Sequence, residues 1–171
     1  MDTSELSRRI KETAYLEGDF VLRSGKRSKY YLDKYLFETQ PDILAEFGRR
    51  LAAYAADVEV IAGPELGAVV LAAAAALAIG KPFTLVRKQA KQYGTAKQVE
   101  GTPVEGRDVL LVEDIGTTAG AALEAAQALV QAGARVKRIV FAIDRMEGAR
   151  ENVEAAGYQF HAILTKDDLG I

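Results

Sequence analysis

The sequence predicts an α/β fold in which helices flank a central, mostly parallel sheet. Three stretches indicate it, because each passes from an apolar, strand-like run through a short glycine-containing loop into a helix-like segment: residues 58–80, 109–133 and 136–157. This alternation is typical of parallel sheets whose strands are covered on both faces. In such folds ligands bind beyond the carboxyl ends of the strands, so the loops there are the first candidates for a functional site.

Length and composition bound the class of protein. A chain of 171 residues with 49% hydrophobic residues is expected to form a single domain, residues 1–171. The formal net charge of −2 gives no general reason to expect nucleic acid or an anionic membrane as a partner. The chain lacks cysteine, which excludes disulfides and cysteine nucleophiles. Its single histidine, His161, cannot form a zinc site alone, and we expect it to pack within a last strand, residues 158–164.

The helical segments before the middle of the chain are predicted from charge and spacing. Residues 1–18 are charged throughout and predict an amphipathic helix rather than a signal peptide. A second helix is predicted over residues 41–56, opened by Pro41. The longest apolar run, residues 68–79, falls short of the roughly 20 residues of a membrane span and predicts a buried, alanine-rich helix. We therefore expect a cytoplasmic protein without a membrane partner.

Between the first two helices the pattern predicts a β-hairpin, since aromatic and β-branched residues flank a turn at residues 24–26. Its basic side chains fit a solvated hairpin edge and a binding role equally well. They are Arg23, Lys26, Arg27 and Lys29.

The apolar run at residues 109–112 ends in two acids, Glu113 and Asp114, before a loop of small and hydroxylated residues, 116–120. Backbone N–H groups of such a loop, with the positive end of the next helix, can close around an anion. Acids beside an anion site suit a ligand with both phosphate and hydroxyl groups, such as a ribose phosphate. In the alternative interpretation, the acids end a strand and the threonines cap a helix. A Walker A loop is excluded, because residues 108–136 contain no lysine.

A predicted strand at residues 83–86 precedes a long polar stretch that carries Arg87, Lys88, Lys91 and Lys97. Long loops are often mobile lids, and a basic lid suits a reaction with an anionic leaving group. A solvated basic loop is the alternative. After the strand at residues 136–143, Arg145 offers either a salt bridge with Asp144 or a contact with an anionic ligand.

These motifs resemble those of a known family. VEDIGTTAG, residues 112–120, is similar to the phosphoribosyl diphosphate signature of the type I phosphoribosyltransferases. GPELGAV, residues 63–69, resembles the loop that holds the diphosphate group there. Three further runs resemble the orotate phosphoribosyltransferases: LRSGKRSKYYLDKY, VRKQAKQYGTAKQVEG and DRMEGA.

The resemblance implies the type I phosphoribosyltransferase fold, with a small N-terminal hood formed mainly by about residues 1–40. It implies transfer of ribose 5-phosphate from phosphoribosyl diphosphate (PRPP) to orotate in pyrimidine (UMP) biosynthesis. It also implies Mg²⁺ brought with PRPP rather than a protein metal site, and a homodimer whose basic loop crosses into the neighbouring active site. A phosphoribosyltransferase for another base and a non-catalytic nucleotide sensor remain alternatives.

The resemblance further implies roles for individual residues. Glu113 and Asp114 are assigned to the ribose hydroxyls, and Lys88 and Lys91 to diphosphate, as the catalytic set. Orotate is assigned to Arg23, Thr117 and Arg145. The PRPP site comprises Arg87, Lys88, Lys91, Tyr93, Glu113, Asp114, Ile115, Gly116, Thr117, Thr118, Ala119, Gly120 and Ala121.

Three positions depart from the common pattern of the family. Arg23 stands where many members have lysine, which keeps the positive charge. Tyr93 stands where many members have histidine. Gly67 stands near the point where some members place a lysine, so the loop at residues 63–67 is expected to offer no lysine contact to diphosphate.

Overall fold

The computed structural model describes residues 1–21, 25, 27–90 and 97–171. The N-terminal part begins with helix α1 (Thr3–Ala14), followed by strands β1 (Tyr15–Val21) and β2 (Arg27–Leu32) and a short helix α2 (Lys34–Glu38). Strands β1 and β2 pair antiparallel, so the predicted hairpin is confirmed. Its turn residues 24 and 26 lie outside the described residues.

The rest of the chain builds a six-stranded sheet in the order β5-β4-β3-β6-β7-β8. Neighbouring strands from β4 to β8 run parallel, whereas the edge strand β5 runs antiparallel to β4. The predicted α/β class with a mostly parallel sheet is therefore confirmed. The elements are α3 (Pro41–Ala52), β3 (Val60–Pro64), α4 (Gly67–Ile79), β4 (Phe83–Val86), β5 (Val99–Gly101), β6 (Asp108–Gly116), α5 (Gly120–Gln131), β7 (Arg135–Asp144), α6 (Ala149–Ala155), β8 (Gln159–Thr165) and α7 (Lys166–Leu169).

The centre of the sheet is buried on both faces. In β6, Leu110 and Val112 join one apolar cluster with side chains of α1 to α4 and α7. Val109 and Leu111 join a second cluster with side chains of α5 and α6. Because successive side chains of a strand point to opposite faces, this continuous apolar run requires helices on both sides.

Several predicted boundaries and one burial prediction are wrong. The first helix ends at Ala14 rather than residue 18, because Tyr15 already pairs with β2. The helix from Pro41 ends at Ala52 rather than residue 56. Helix α4 is not buried all round: one face packs in the core, while Leu77 is 86% exposed. Strand β5 and the short helices α2 and α7 were not predicted, since each is too short to show a period.

Among the described residues, no helix combines the length and apolar character required to cross a membrane.

Candidate functional site

Four loops meet at one edge of the sheet. They follow the carboxyl ends of β3, β4, β6 and β7, and these strands are neighbours in the order β4-β3-β6-β7. The loops carry residues 65–67, residues 87–90, residues 117–119 and residues 145–148. The topology therefore gathers at one edge the acidic pair, the small-residue loop, Arg87, Lys88 and Arg145.

The acidic pair is buried at the end of β6. Glu113 is 7% exposed and Asp114 is 5% exposed. Glu113 Oε1 accepts a hydrogen bond from the backbone N–H of Asp114 at 3.0 Å, and Asp114 Oδ1 accepts one from the backbone N–H of Ile115 at 2.6 Å. Glu113 Oε2 is buried and has no hydrogen-bond partner in the described structure. Buried acids that merely ended a strand would cost free energy without benefit, so this arrangement favours a ligand site.

Two residues that the sequence interpretation did not assign complete this cluster. The ammonium group of Lys34 donates to Asp114 Oδ2 at 2.5 Å. Glu38 is 2% exposed, and within the described ranges neither of its carboxyl oxygens has a hydrogen-bond partner. Lys34 and Glu38 stand four residues apart on α2, a spacing that puts them on one helix face. The sequence contains no signal that links this face to Asp114.

The cluster changes the protonation of its members. Burial, followed by the charge of Asp114, raises the pKa of Glu38 to about 8. The same two causes, burial first, raise the pKa of Glu113. Burial lowers the pKa of Lys34, but the charge and hydrogen bond of Asp114 outweigh it, so the net shift is upward. Lys34 therefore stays charged, whereas Glu38 holds a proton at neutral pH.

The loop between β6 and α5 has the form of an anion site. Helix α5 begins at Gly120 without a side-chain cap, so the alternative in which Thr117 or Thr118 caps it is wrong. Both threonines are exposed, and Ala119 adopts a left-handed conformation with φ 63°. Asn152 Nδ2 donates to the carbonyl of Thr118 at 2.9 Å and ties the loop to α6. The N–H groups of the first turn remain available to a ligand.

Arg145 lies beside this loop and under the hairpin. Its backbone N–H donates to the carbonyl of Gly116 at 2.8 Å. Its Nε lies 3.1 Å from Glu147 Oε1, and its Nη2 donates to the Tyr30 hydroxyl at 3.3 Å. Tyr30 in turn stacks on Tyr15, with 5.5 Å between ring centres. The predicted alternative of an Asp144–Arg145 salt bridge is wrong, because Arg145 pairs with Glu147.

Only some of the basic residues predicted for the site lie within the described part of the chain. Arg87 and Lys88 lie directly after β4, and Glu65 Oε1 accepts a hydrogen bond from the backbone N–H of Lys88 at 2.7 Å. Arg87 Nε is buried without a partner in the described part of the chain. The predicted site residues Arg23, Lys91 and Tyr93 lie outside the described residues. Lys29 is 86% exposed and pairs with Asp19, as expected for a solvated hairpin edge.

His161 lies away from this edge. Its ring packs against Tyr54 at 4.8 Å between centres. Burial first, then the charges of Arg138 and Arg150, lowers its pKa. The prediction that His161 packs in the last strand is confirmed.

Comparison with known proteins gives a consistent result. A family model described as phosphoribosyl transferase domain matches residues 37–158. The orotate phosphoribosyltransferase of Halobacterium salinarum is 45% identical over 152 residues, which cover 89% of this chain and 87% of that protein. A crystal structure of Mycobacterium tuberculosis orotate phosphoribosyltransferase with Fe(III) dicitrate aligns over all of both chains, with TM-score 0.90 and 34% identity. The same enzyme in complex with PRPP aligns over all of both chains, with TM-score 0.86 and 32% identity.

Proposed function

The chain belongs to the phosphoribosyltransferase family, and we propose that it acts as an orotate phosphoribosyltransferase. It transfers ribose 5-phosphate from PRPP to orotate and yields orotidine 5′-monophosphate and diphosphate. One observation carries the proposal: a buried acidic pair, an open anion loop and a hydrogen-bonded arginine lie at the same sheet edge. Each group suits one part of the two substrates.

The acidic pair and the loop suit the ribose 5-phosphate part of PRPP. Glu113 and Asp114 accept hydrogen bonds from the ribose hydroxyls, and the N–H groups of residues 116–120 bind the 5′-phosphate. Ile115 and Ala121 flank this segment on either side. The exposed hydroxyls of Thr117 and Thr118 are free to turn towards the ligand.

The reaction requires charge stabilisation more than a nucleophilic side chain. The bond from the sugar to diphosphate breaks, the sugar passes through an oxocarbenium-like state, and a new carbon–nitrogen bond forms with orotate. Arg87 and Lys88 at the end of β4 stabilise the departing diphosphate, and Lys91 and Tyr93 are proposed to assist. The buried, unpartnered Nε of Arg87 supports this role.

Orotate carries a carboxylate, which a guanidinium binds through charge-assisted hydrogen bonds. Arg145 is held by Glu147 and Tyr30, so its orientation is fixed before the ligand arrives. Thr117 on the adjoining loop, and Arg23 from the hairpin, are proposed to complete the base site. The hood of about residues 1–40 includes the hairpin and α2, and its Tyr30 contacts Arg145 of the proposed base site.

Mg²⁺ is proposed to enter on PRPP. The described residues contain no group of three or more His, Cys, Asp or Glu side chains arranged to hold a metal ion. Mg²⁺ prefers oxygen ligands and often binds through substrate phosphates with few protein carboxylates. This suits an edge where Asp114 already pairs with Lys34. Mg²⁺ bound with PRPP would help to neutralise the diphosphate charge, and Arg87 and Lys88 would bind diphosphate oxygens.

A homodimer with shared active sites, located in the cytoplasm, is proposed with this function. Support comes from large apolar side chains that are exposed on α2 and at both ends of α4: Tyr35, Leu36, Leu66 and Leu77. Mixing Lys91→Ala protein with Asp114→Asn protein tests the shared site, since one competent centre can form if the lid crosses between chains. Recovered activity is expected. If activity is not recovered although subunit exchange is proven, the basic lid completes the active site of its own chain.

The substrate is tested by mixing the protein with PRPP, Mg²⁺ and orotate, uracil or a purine, and following diphosphate release. Release with orotate alone is expected, because Arg145 would lose its carboxylate partner with uracil. Release with a purine would favour a phosphoribosyltransferase for another base. No release with any base would favour a nucleotide sensor.

A further inference from the structure

Lys34 reaches the acidic pair from a distant part of the chain. Its ammonium group contacts Asp114 across 80 residues of sequence. The short helix that carries it is fixed at both ends: Asp33 Oδ1 accepts a hydrogen bond from the backbone N–H of Tyr35 at 3.1 Å, and the Phe37 ring packs on Phe47. Lys34 is therefore held at the site by the fold rather than by a mobile surface segment.

Gly67 provides the space for this arrangement. A β-carbon at position 67 would lie 2.8 Å from Glu38 Oε2 and 2.9 Å from Glu38 Oε1, and closer still to Asp114 Oδ2. Real β-carbons essentially never approach other atoms below 3.0 Å, so any side chain here would displace the carboxyl groups. The loop after β3 thus contributes no side chain at this point, and α2 contributes the cation instead.

Lys34 is the cation of this cluster and pairs with one of its three carboxyl groups. The other two carboxyl groups, those of Glu38 and Glu113, keep buried oxygens that have no hydrogen-bond partner among the described residues. Lys34 retains two N–H donors beyond the one directed to Asp114, because an ammonium group has three. Unlike a guanidinium, an ammonium on a flexible stem can change partner by a small rotation.

We propose that Lys34 is a diphosphate-binding residue, which pairs with Asp114 and turns to the diphosphate of PRPP when the ribose hydroxyls occupy that carboxylate. The inference rests on the proposed function, since it requires PRPP as the ligand. Lys34 supplies from α2 the lysine contact that the loop at residues 63–67 lacks. Glu38, buried behind it in the space left by Gly67, is a positioning residue.

The test is calorimetric titration of PRPP with Mg²⁺, without orotate, into wild type and Lys34→Met. Methionine keeps an unbranched side chain, shorter by one atom, and removes its charge. Loss of a charge-assisted hydrogen bond is expected to weaken binding by roughly 10- to 100-fold. Lys29→Met is the matched control, because Lys29 also forms a lysine–aspartate pair in the hood but is exposed; it should bind PRPP as wild type does. Unchanged affinity of Lys34→Met would overturn the inference.

Two ligand fragments locate the contact. Diphosphate with Mg²⁺ should bind Lys34→Met more weakly than it binds wild type. Ribose 5-phosphate should bind the two proteins with almost equal affinity. The reverse pattern would overturn the assignment to diphosphate. Wild type that binds neither PRPP nor diphosphate would instead remove the proposed function itself.

A second pair of variants covers the case in which Lys34→Met unfolds because Asp114 is left unpaired. Asp114→Asn and the double variant Asp114→Asn with Lys34→Met both lack that unpaired charge. Diphosphate should bind the double variant more weakly than Asp114→Asn by the same 10- to 100-fold, roughly. Equal affinities would show that Lys34 serves only to neutralise Asp114.

Discussion

The two edges of the sheet, formed by the amino ends and the carboxyl ends of its parallel strands, contain the same kinds of charged residues but pair them differently. At the amino edge, Arg138 donates to both carboxyl oxygens of Asp57, at 2.5 and 2.7 Å, and to the carbonyl of Tyr54. Lys81 donates to the carbonyls of Ala55, Ala56 and Val58 at 2.6 to 2.8 Å. At the carboxyl edge, buried atoms of Glu38, Glu113 and Arg87 have no partner among the described residues.

The difference separates stability from function. The hydrogen bond from Arg138 holds the pKa of Asp57 at about 2, so the charged forms are favoured where the pair is complete. At the other edge burial raises the pKa of Glu38 to about 8, so its charged form is disfavoured. Buried polar groups in folded proteins nearly always find partners. At the carboxyl edge, where Glu113 and Arg87 keep buried atoms unpaired among the described residues, a ligand is the expected partner.

Asp114→Asn should break the carboxyl edge most severely. Asparagine keeps the shape of the side chain but removes the charge that orients Lys34 and accepts from the ribose. We expect turnover to fall by about 100-fold or more, with the fold intact. Steady-state diphosphate release and circular dichroism measure both. Near-normal turnover would contradict the assignment of Asp114.

Arg145→Ala should separate the base site from the PRPP site at the same edge. Orotate binding is expected to weaken by about 1.5–3 kcal/mol, the scale for a hydrogen bond to a charged group. PRPP binding should change little, because Arg145 contacts the hairpin and Glu147 rather than the acidic pair. Calorimetric titration of each ligand provides the measurement. Equal losses for both ligands would argue that Arg145 only supports the fold.

Lys81→Met should destabilise the amino edge without changing catalysis. Three carbonyl oxygens would lose their donor, and we expect the free energy of unfolding to fall by about 1–3 kcal/mol. The KM for PRPP and orotate should match wild type. Urea unfolding and steady-state kinetics check the two halves of this prediction. A rise in either KM would show that the two edges are coupled.

Glu38→Gln should reveal the contrast between the two edges through the pH dependence of stability. Its effect is expected to be the smallest of the four variants. The folded chain binds the Glu38 proton up to about pH 8, whereas the unfolded chain releases it near the usual value of 4.5. Wild-type stability should therefore fall as pH rises through this window, and the variant should lose less. The difference between pH 5 and pH 8 is expected to be about 1 kcal/mol or more, measured by urea unfolding. Identical pH slopes would contradict a buried, protonated Glu38.

Much of the fold could be predicted because it depends on local patterns. The apolar run of β6 is buried on both faces, and each glycine-containing loop lies at the strand end where the alternation put it. The exposed side of α4 could not be predicted, because its alanines satisfy a buried and a surface position equally well. Helix α2 has five residues, which is less than two turns and too short for a periodic signal.

The candidate site was predictable where one motif contains all its parts. Glu113, Asp114 and the loop that follows are contiguous, so the strand and helix around them fix their arrangement. Lys34 and Glu38 were missed because their role depends on a tertiary contact that forms over 80 residues. Glu38 stands just before two polar residues, Thr39 and Gln40, where a solvated carboxylate is the ordinary expectation, yet it is 2% exposed and lies beside Gly67.

The stacked pair of Tyr15 and Tyr30 also gives this chain an optical property. Tyr30 contacts Arg145, so the ring pair adjoins the proposed base site. The chain contains no tryptophan, so its near-ultraviolet absorption at wavelengths longer than those of phenylalanine comes from seven tyrosines. A ligand that draws Arg145 away from the Tyr30 hydroxyl alters the surroundings of one chromophore of a coupled pair. Occupation of the base site is thus open to direct spectroscopic observation, without a label and without turnover.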